Sequence, residues 1–164
     1  MIKSCRAILI DTNVIIECHA RGCWKALAGQ YPLETVEQCV IETQTGHQHR
    51  RPELQINEVE LRSQLRAVYP VTARELAKVI ALGGSGLDEG ERALWAHALQ
   101  RSDVWILCGP DRASMKFGYD NKLRERLVSL GELLTAVNLH PALSKAYSKA
   151  WLDAAISKFA LGIV

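Results

Sequence analysis

A chain of 164 residues with 48% hydrophobic and 23% charged residues has the size and composition of one soluble domain, large enough to bury a core without disulfides or a structural metal. Leu, Ile and Val recur throughout, which excludes a disordered chain. The net charge of +2 excludes a strongly basic binder or an acidic tail, but leaves a nucleic-acid substrate open.

The five cysteines, Cys5, Cys18, Cys23, Cys39 and Cys108, are odd in number and contain no CxxC pair, so they read as free thiols of a reducing cytoplasm. The set Cys39, His47 and His49 matches none of the common zinc spacings. The apolar stretch after Lys3 and Arg6 ends at Asp11, too short for a signal peptide, and no run approaches the ~20 apolar residues that span a membrane.

In chain order, Arg6 to Ile10 is a short continuous apolar run, the pattern of a buried parallel strand. It ends at Asp11-Thr12-Asn13, where Thr12 or Asn13 can cap a following helix, and one or two helices run to about Ala28. Tyr31 to Thr35 reads as a second strand, with Thr35 capping a helix that carries Val36, Cys39, Val40 and Thr43. The polar stretch Gln44 to Asn57 reads as a loop and Glu58 to Arg66 as a helix. Ala67 to Val71 reads as a strand, and Thr72 with Glu75 as a capping box on the next helix. Gly83-Gly84-Ser85-Gly86 ends that helix, and Asp88 opens another to about Arg101. Val104 to Cys108 is a second clear buried strand, followed by Gly109-Pro110-Asp111 and a helix. Leu127 and Val128 form a last short strand, Gly131 to Val137 a helix, and Pro141 opens a long terminal helix from Ala142 to about Phe159. Strands alternating with helices specify an α/β fold, a parallel sheet of four to five strands covered on both faces. The expected organisation is one domain over residues 1–140 with a C-terminal helical extension over 141–164, packed on that domain or on a partner.

In open sheets of this kind ligands bind beyond the carboxyl ends of the strands. Asp11 and Asp111 each follow a buried strand, where a carboxylate is costly unless a cation compensates it. Glu42 is the acid near the end of the Val36–Thr43 helix, and Asp88 and Glu91 share a face at the start of theirs. Four carboxylates from separate segments, Asp11, Glu42, Glu91 and Asp111, can therefore meet as the all-oxygen donor set that Mg²⁺ or Mn²⁺ prefers. Two basic clusters can contact a phosphate backbone: Arg50, Arg51, Arg62 and Arg66 near His47 and His49, and Arg112, Lys116, Lys122, Arg124 and Arg126.

These residues carry a family resemblance. Ile8-Leu9-Ile10-Asp11-Thr12-Asn13-Val14-Ile15 resembles the opening motif of PIN-domain nucleases, an apolar strand followed by Asp and then Thr or Ser. Glu42 matches the family's second acid, Gly90-Glu91-Arg92-Ala93 its third, and Asp111 its fourth, over about Ala7 to Val137. Where family members often carry Thr or Ser two residues before the fourth acid, and frequently another acid near it, this chain has Gly109-Pro110-Asp111-Arg112.

The resemblance implies a three-layer α/β/α fold and a metal-dependent endoribonuclease. Asp11, Glu42, Glu91 and Asp111 would be both metal ligands and catalytic residues. Thr12, Asn13 and Asp88 would support them, with Thr12 or Asn13 positioning Asp11 or a ligating water. Arg112 and Lys116 would be phosphate contacts. The implied partners are RNA, a small antitoxin of the kind that pairs with VapC-type toxins, and a second copy of the chain.

Two other functions stand beside this one. The chain can be a catalytically weak PIN-like module that acts by binding a protein. More remotely, it can be a phosphatase of the haloacid dehalogenase type, which needs Asp-x-Asp where this chain has Asn13 at the second position.

Overall fold

The computed structural model describes residues 2–45 and 51–163. His47, His49 and Arg50, from the first basic cluster and the zinc comparison, lie outside the described residues.

Strand β1 (Ala7–Ile10) is fully buried, as a run of Ala, Ile and Leu with no polar member requires. It lies at the centre of a five-stranded, all-parallel sheet of order β3-β2-β1-β4-β5. The other strands are β2 (Leu33–Val36), β3 (Ala67–Tyr69), β4 (Trp105–Cys108) and β5 (Leu127–Val128). β4 pairs with β1 along its whole length, from Ala7 opposite Trp105 to Ile10 opposite Cys108.

Because side chains alternate along a strand, β1 divides the core in two. Ala7 and Leu9 join Trp105 and Leu107 on one face, and Ile8 and Ile10 join Ile106 and Cys108 on the other. Helices α1 (Thr12–Ala20), α2 (Trp24–Gln30), α4 (Glu58–Gln64) and α8 (Leu130–Ala136) cover the second face, through Val14, Ile15, Leu27, Leu61 and Leu133. Helices α5 (Ala73–Ala81), α6 (Glu89–Ala98), α7 (Arg112–Asp120) and α9 (Lys149–Ala160) cover the first, through Val79, Trp95, Met115 and Phe159. This is the three-layer α/β/α architecture. Helix α3 (Glu37–Gln44) lends Cys39 to one cluster and Val40 to the other, so it straddles the end of the sheet.

Several elements depart from the expectations. Thr35 does not cap α3. The strand runs on through Val36, which lies opposite Tyr69, and the Thr35 hydroxyl donates to the Ile10 carbonyl at 2.7 Å. β3 stops at Tyr69 because Pro70 follows and has no N–H to give the ladder. α6 ends at Ala98 rather than Arg101, whose guanidinium is drawn to Glu34 and Asp103.

The largest departure is at the C-terminus. No helix starts at Pro141. Residues 141–144 form a strap leading into a 3-10 turn, Lys145–Tyr147, and α9 begins after its cap, Ser148. Tertiary bonds hold the strap: the Ser144 amide donates to Glu17 Oε1 at 2.9 Å, and the Tyr147 hydroxyl to the Asn13 carbonyl at 3.2 Å. α9 itself packs on the core through Leu152, Ala155 and Phe159. Among the described residues no helix is long and apolar enough to cross a membrane.

Candidate functional site

The chain steps outward from β1 through β2 to β3, then crosses back to place β4 and β5 on the other side of β1. The crevice beyond the carboxyl ends of β1 and β4 is therefore the topological switch point of the sheet. Asp11 leaves β1 there, its amide donating to the Cys108 carbonyl of β4 at 3.1 Å. Gly109 turns away close beside it, so that a Cβ at that position would lie 3.5 Å from that of Asp11.

Three of the expected acids are helix caps around this crevice. Asp11 caps α1, with Oδ2 accepting from the Asn13 amide at 3.3 Å. Asp111 caps α7, taking the Ala113 and Ser114 amides on the same oxygen, Oδ1. Asp88 and Glu91 form a reciprocal capping box on α6: Asp88 Oδ1 accepts from the Glu91 amide at 2.8 Å, and Glu91 Oε2 from the Asp88 amide at 3.2 Å. Each acid thus faces backbone N–H groups at a helix start, where negative charge is favoured.

Glu42 arrives from α3. Its Oε2 accepts from the Thr12 hydroxyl at 2.9 Å, so that hydroxyl steadies Glu42. Asp11 is oriented by backbone amides, that of Asn13 at 3.3 Å and that of Thr12. Gly90 makes room for Glu42 on the other side. A Cβ there would overlap the Glu42 carboxylate, with Cδ only 2.8 Å away. The Gly90-Glu91 pair therefore admits one carboxylate and supplies another.

Four acids are buried among the described residues, and they fall into two classes. Glu34 is held by Arg101 at 2.6 Å and by Arg66 at 2.5 Å. Glu17 meets Arg21 at 3.0 Å and the Ser144 amide. Burial works to raise the Glu17 pKa, but these donors outweigh it and hold the carboxyl below its ordinary value.

Asp11 and Glu91 form the other class. Among the described residues no ion pair involves either of them, or Glu42, Asp88 or Asp111. Burial pushes the Asp11 carboxyl up to about 7, with the negative charges of Asp88 and Glu42 adding to it and the Asn13 amide opposing. Glu91 rises to about 8, first by burial and then by the charges of Asp111, Asp88 and Asp11. Its Oε1 is buried without a hydrogen-bond partner. A chain that supplies arginines for its other buried acids gives these two only backbone amides.

In donor chemistry, oxygen ligands with one buried oxygen left unpartnered fit a hard divalent cation such as Mg²⁺ or Mn²⁺. Among the described residues, no group of three or more His, Cys, Asp or Glu is arranged to hold a metal ion outright.

The basic residues are engaged elsewhere. Arg112 lies over the Phe159 ring, 5.0 Å from its centroid, and donates to the Ile163 carbonyl at 3.2 Å. Lys116 pairs with Asp120 at 2.5 Å and Arg62 with Glu37 at 2.7 Å. Arg126 donates to the Trp105 carbonyl at 3.0 Å.

Two contributors left no trace in the sequence. Tyr147 reaches α1 from the 3-10 turn after the strap, and Ser114 accepts from Trp95 Nε1 at 2.9 Å while its amide binds Asp111. Both are products of tertiary packing with no motif around them.

The fold and site together define an α/β protein with acidic helix caps beside the switch point of its sheet. No family model matches the chain, and no curated protein matches it.

Proposed function

We propose that the protein is a metal-dependent endoribonuclease of the PIN-domain type, using a divalent cation held by Asp11, Glu42, Glu91 and Asp111. The observation that carries this reading is the division among the buried acids: Glu34 and Glu17 have arginine partners, whereas Asp11 and Glu91 have none, and Glu91 Oε1 has no partner at all. Burial of unpaired carboxylates costs stability, and a bound cation is the compensation that also yields chemistry.

When bound, Mg²⁺ or Mn²⁺ lowers the pKa of water and stabilises charge developing on a phosphodiester. The chain's own residues do the rest. Thr12 fixes Glu42, backbone amides orient Asp11 and Asp111, and the capping box holds Glu91 with one oxygen free of the helix. To hold a cation Asp11 and Glu91 would have to be ionised, so binding is expected to strengthen with rising pH.

RNA as substrate, a small antitoxin and a second copy of the chain follow from the family resemblance. A cytoplasmic setting suits the five free thiols.

The test is cleavage of a mixed RNA pool by the native protein, Asp11→Asn and Glu91→Gln, with Mg²⁺ or Mn²⁺ and with EDTA. The expected result is cleavage by the native protein that EDTA abolishes and that each substitution removes. Cleavage unaffected by the substitutions would reject this site. No cleavage, together with no cation uptake in calorimetry, would turn attention to a protein-binding role.

A further inference from the structure

Helix α1 ends in a turn that brings two cysteines together. The Gly22 amide donates to the His19 carbonyl at 3.2 Å, and the Cys23 amide to the Cys18 carbonyl at 2.9 Å. Gly22 lies between the two cysteines at φ +69°, the left-handed region that glycine enters freely. This pair of bonds is the Schellman motif, in which the side chains at the ends of the longer bond pack on each other, commonly as an apolar pair. Here both are cysteines: Cys18 in the last turn of α1 and Cys23 immediately before α2. They lie in the same core cluster. Cysteines bridge without backbone movement only where they are already neighbours, and the 2.9 Å bond makes these two neighbours.

The two thiols touch and are unequal. The Cys18 thiol donates to the Cys23 sulfur, which holds the Cys23 thiol below its ordinary pKa and keeps the proton on Cys18. Burial pushes Cys5, Cys39 and Cys108 up, so Cys23 alone of the five favours its thiolate, the nucleophilic form. Cys23 is also 6% exposed where Cys18 is fully buried. Its chain neighbours Gly22 and Trp24 line a surface cavity of about 280 Å³.

We propose that Cys18 and Cys23 form a redox-active dithiol, a modification site at which a peroxide converts the pair to a disulfide. The Cys23 thiolate attacks one peroxide oxygen, the O–O bond breaks, and Cys23 becomes a sulfenic acid as the departing hydroxide takes up a proton. Cys18 then loses its proton and attacks the Cys23 sulfur; the S–S bond forms, the S–O bond breaks, and water leaves. Two thiols are oxidised by two electrons and one hydrogen peroxide is reduced to two waters. The bond staples the end of α1 to the start of α2, and in a reducing compartment it is transient. This site is independent of the proposed metal site.

The experiment treats the folded full chain with hydrogen peroxide, alkylates the remaining thiols in denaturant and maps the tryptic peptides by mass spectrometry. Cleavage after Arg21 puts Cys18 and Cys23 on separate peptides, 7–21 and 22–25, which a disulfide joins. The expected result is that joined pair, with free thiols falling from five to three (five less the two that pair) and dithiothreitol restoring them. Cys18→Ser is expected to stop at a sulfenic acid on Cys23, trapped by dimedone. Retention of all five thiols in the native protein would overturn the proposal, as would a disulfide joining either cysteine to Cys5, Cys39 or Cys108. Dimedone labelling of Cys18 in Cys23→Ser as fast as of Cys23 in Cys18→Ser would overturn Cys23 as the attacking thiol.

Discussion

Asp11 and Glu91 hold their protons to pH values at which a solvated carboxyl has lost them, and that difference is measurable as stability. In the metal-free fold Glu91 titrates near 8, whereas in the unfolded chain a glutamate titrates near ~4.3. Between those values the folded state binds the extra proton, so stability falls as pH rises through that window and levels off above it. Glu91→Gln removes the titration. Its melting temperature in EDTA is expected to match the native protein near pH 4 and to exceed it near pH 9, at ~2–4 °C per kcal/mol recovered. Thermal unfolding across that range checks this, and an equal or lower melting temperature at high pH would reject the charged pocket. At this level the sequence was legible for the position of Asp11 and Asp111 after β1 and β4, and of Asp88 and Glu91 at the start of α6. It was not legible for what each acid touches. Thr12 serves Glu42 across 30 residues of chain, and Arg112 turns to Phe159 and Ile163, contacts that only tertiary packing creates.

Helices α3 and α6 meet at Gly90, and the absence of a side chain there is what lets the Glu42 carboxylate lie against α6. Gly90→Ala is expected to leave the fold intact. Alanine is favoured in helices by ~1 kcal/mol over glycine, and the group it displaces is the mobile end of Glu42. The cost falls on Mn²⁺ affinity, expected to weaken by ~10-fold or more with no loss of melting temperature. A large loss of stability instead would show that Gly90 serves packing alone.

The strap over residues 141–144 depends on a different acid. Glu17 binds the Ser144 amide and Arg21, and its pKa lies below the ordinary value. That contribution is present at neutral pH and lost as pH falls through the folded-state value. Glu17→Gln is expected to cost about 1.5–3 kcal/mol near pH 7, with the gap to the native protein closing in acid. Denaturant unfolding at pH 7 and pH 3 measures it. The helix expected to open at Pro141 failed to appear because these bonds hold the segment extended, whereas the Thr72 and Asp88 caps were legible because their partners lie within one turn.

For the molecule as a whole, uptake of a cation by the folded state alone must stabilise it. At one hundred times the dissociation constant the gain is about 2.7 kcal/mol, or ~5–10 °C for a chain of this size. Mg²⁺ or Mn²⁺ is expected to raise the melting temperature of the native protein by that amount and to leave Asp11→Asn nearly unmoved. Differential scanning fluorimetry with and without EDTA decides it. The three-layer architecture was legible from the alternation of apolar strands with amphipathic helices, and the fully buried pattern of β1 and β4 marked the centre. Strand order was not, because pairing between β1 and β4 joins segments with no local signal to link them.

That central pairing also sets an order of events during synthesis. β1 is the first strand made, yet its full-length neighbour β4 starts only at Trp105, and Asp111 comes later still. An emerging chain can assemble β1, β2 and β3 with Asp11 and Glu42 in place while one wall of the pocket has yet to be translated. Closure then waits on a long-range contact, the slow kind in folding. The proposed nuclease would therefore acquire its cation, and its ability to cut, only as a late act of maturation, after most of the chain has left the ribosome.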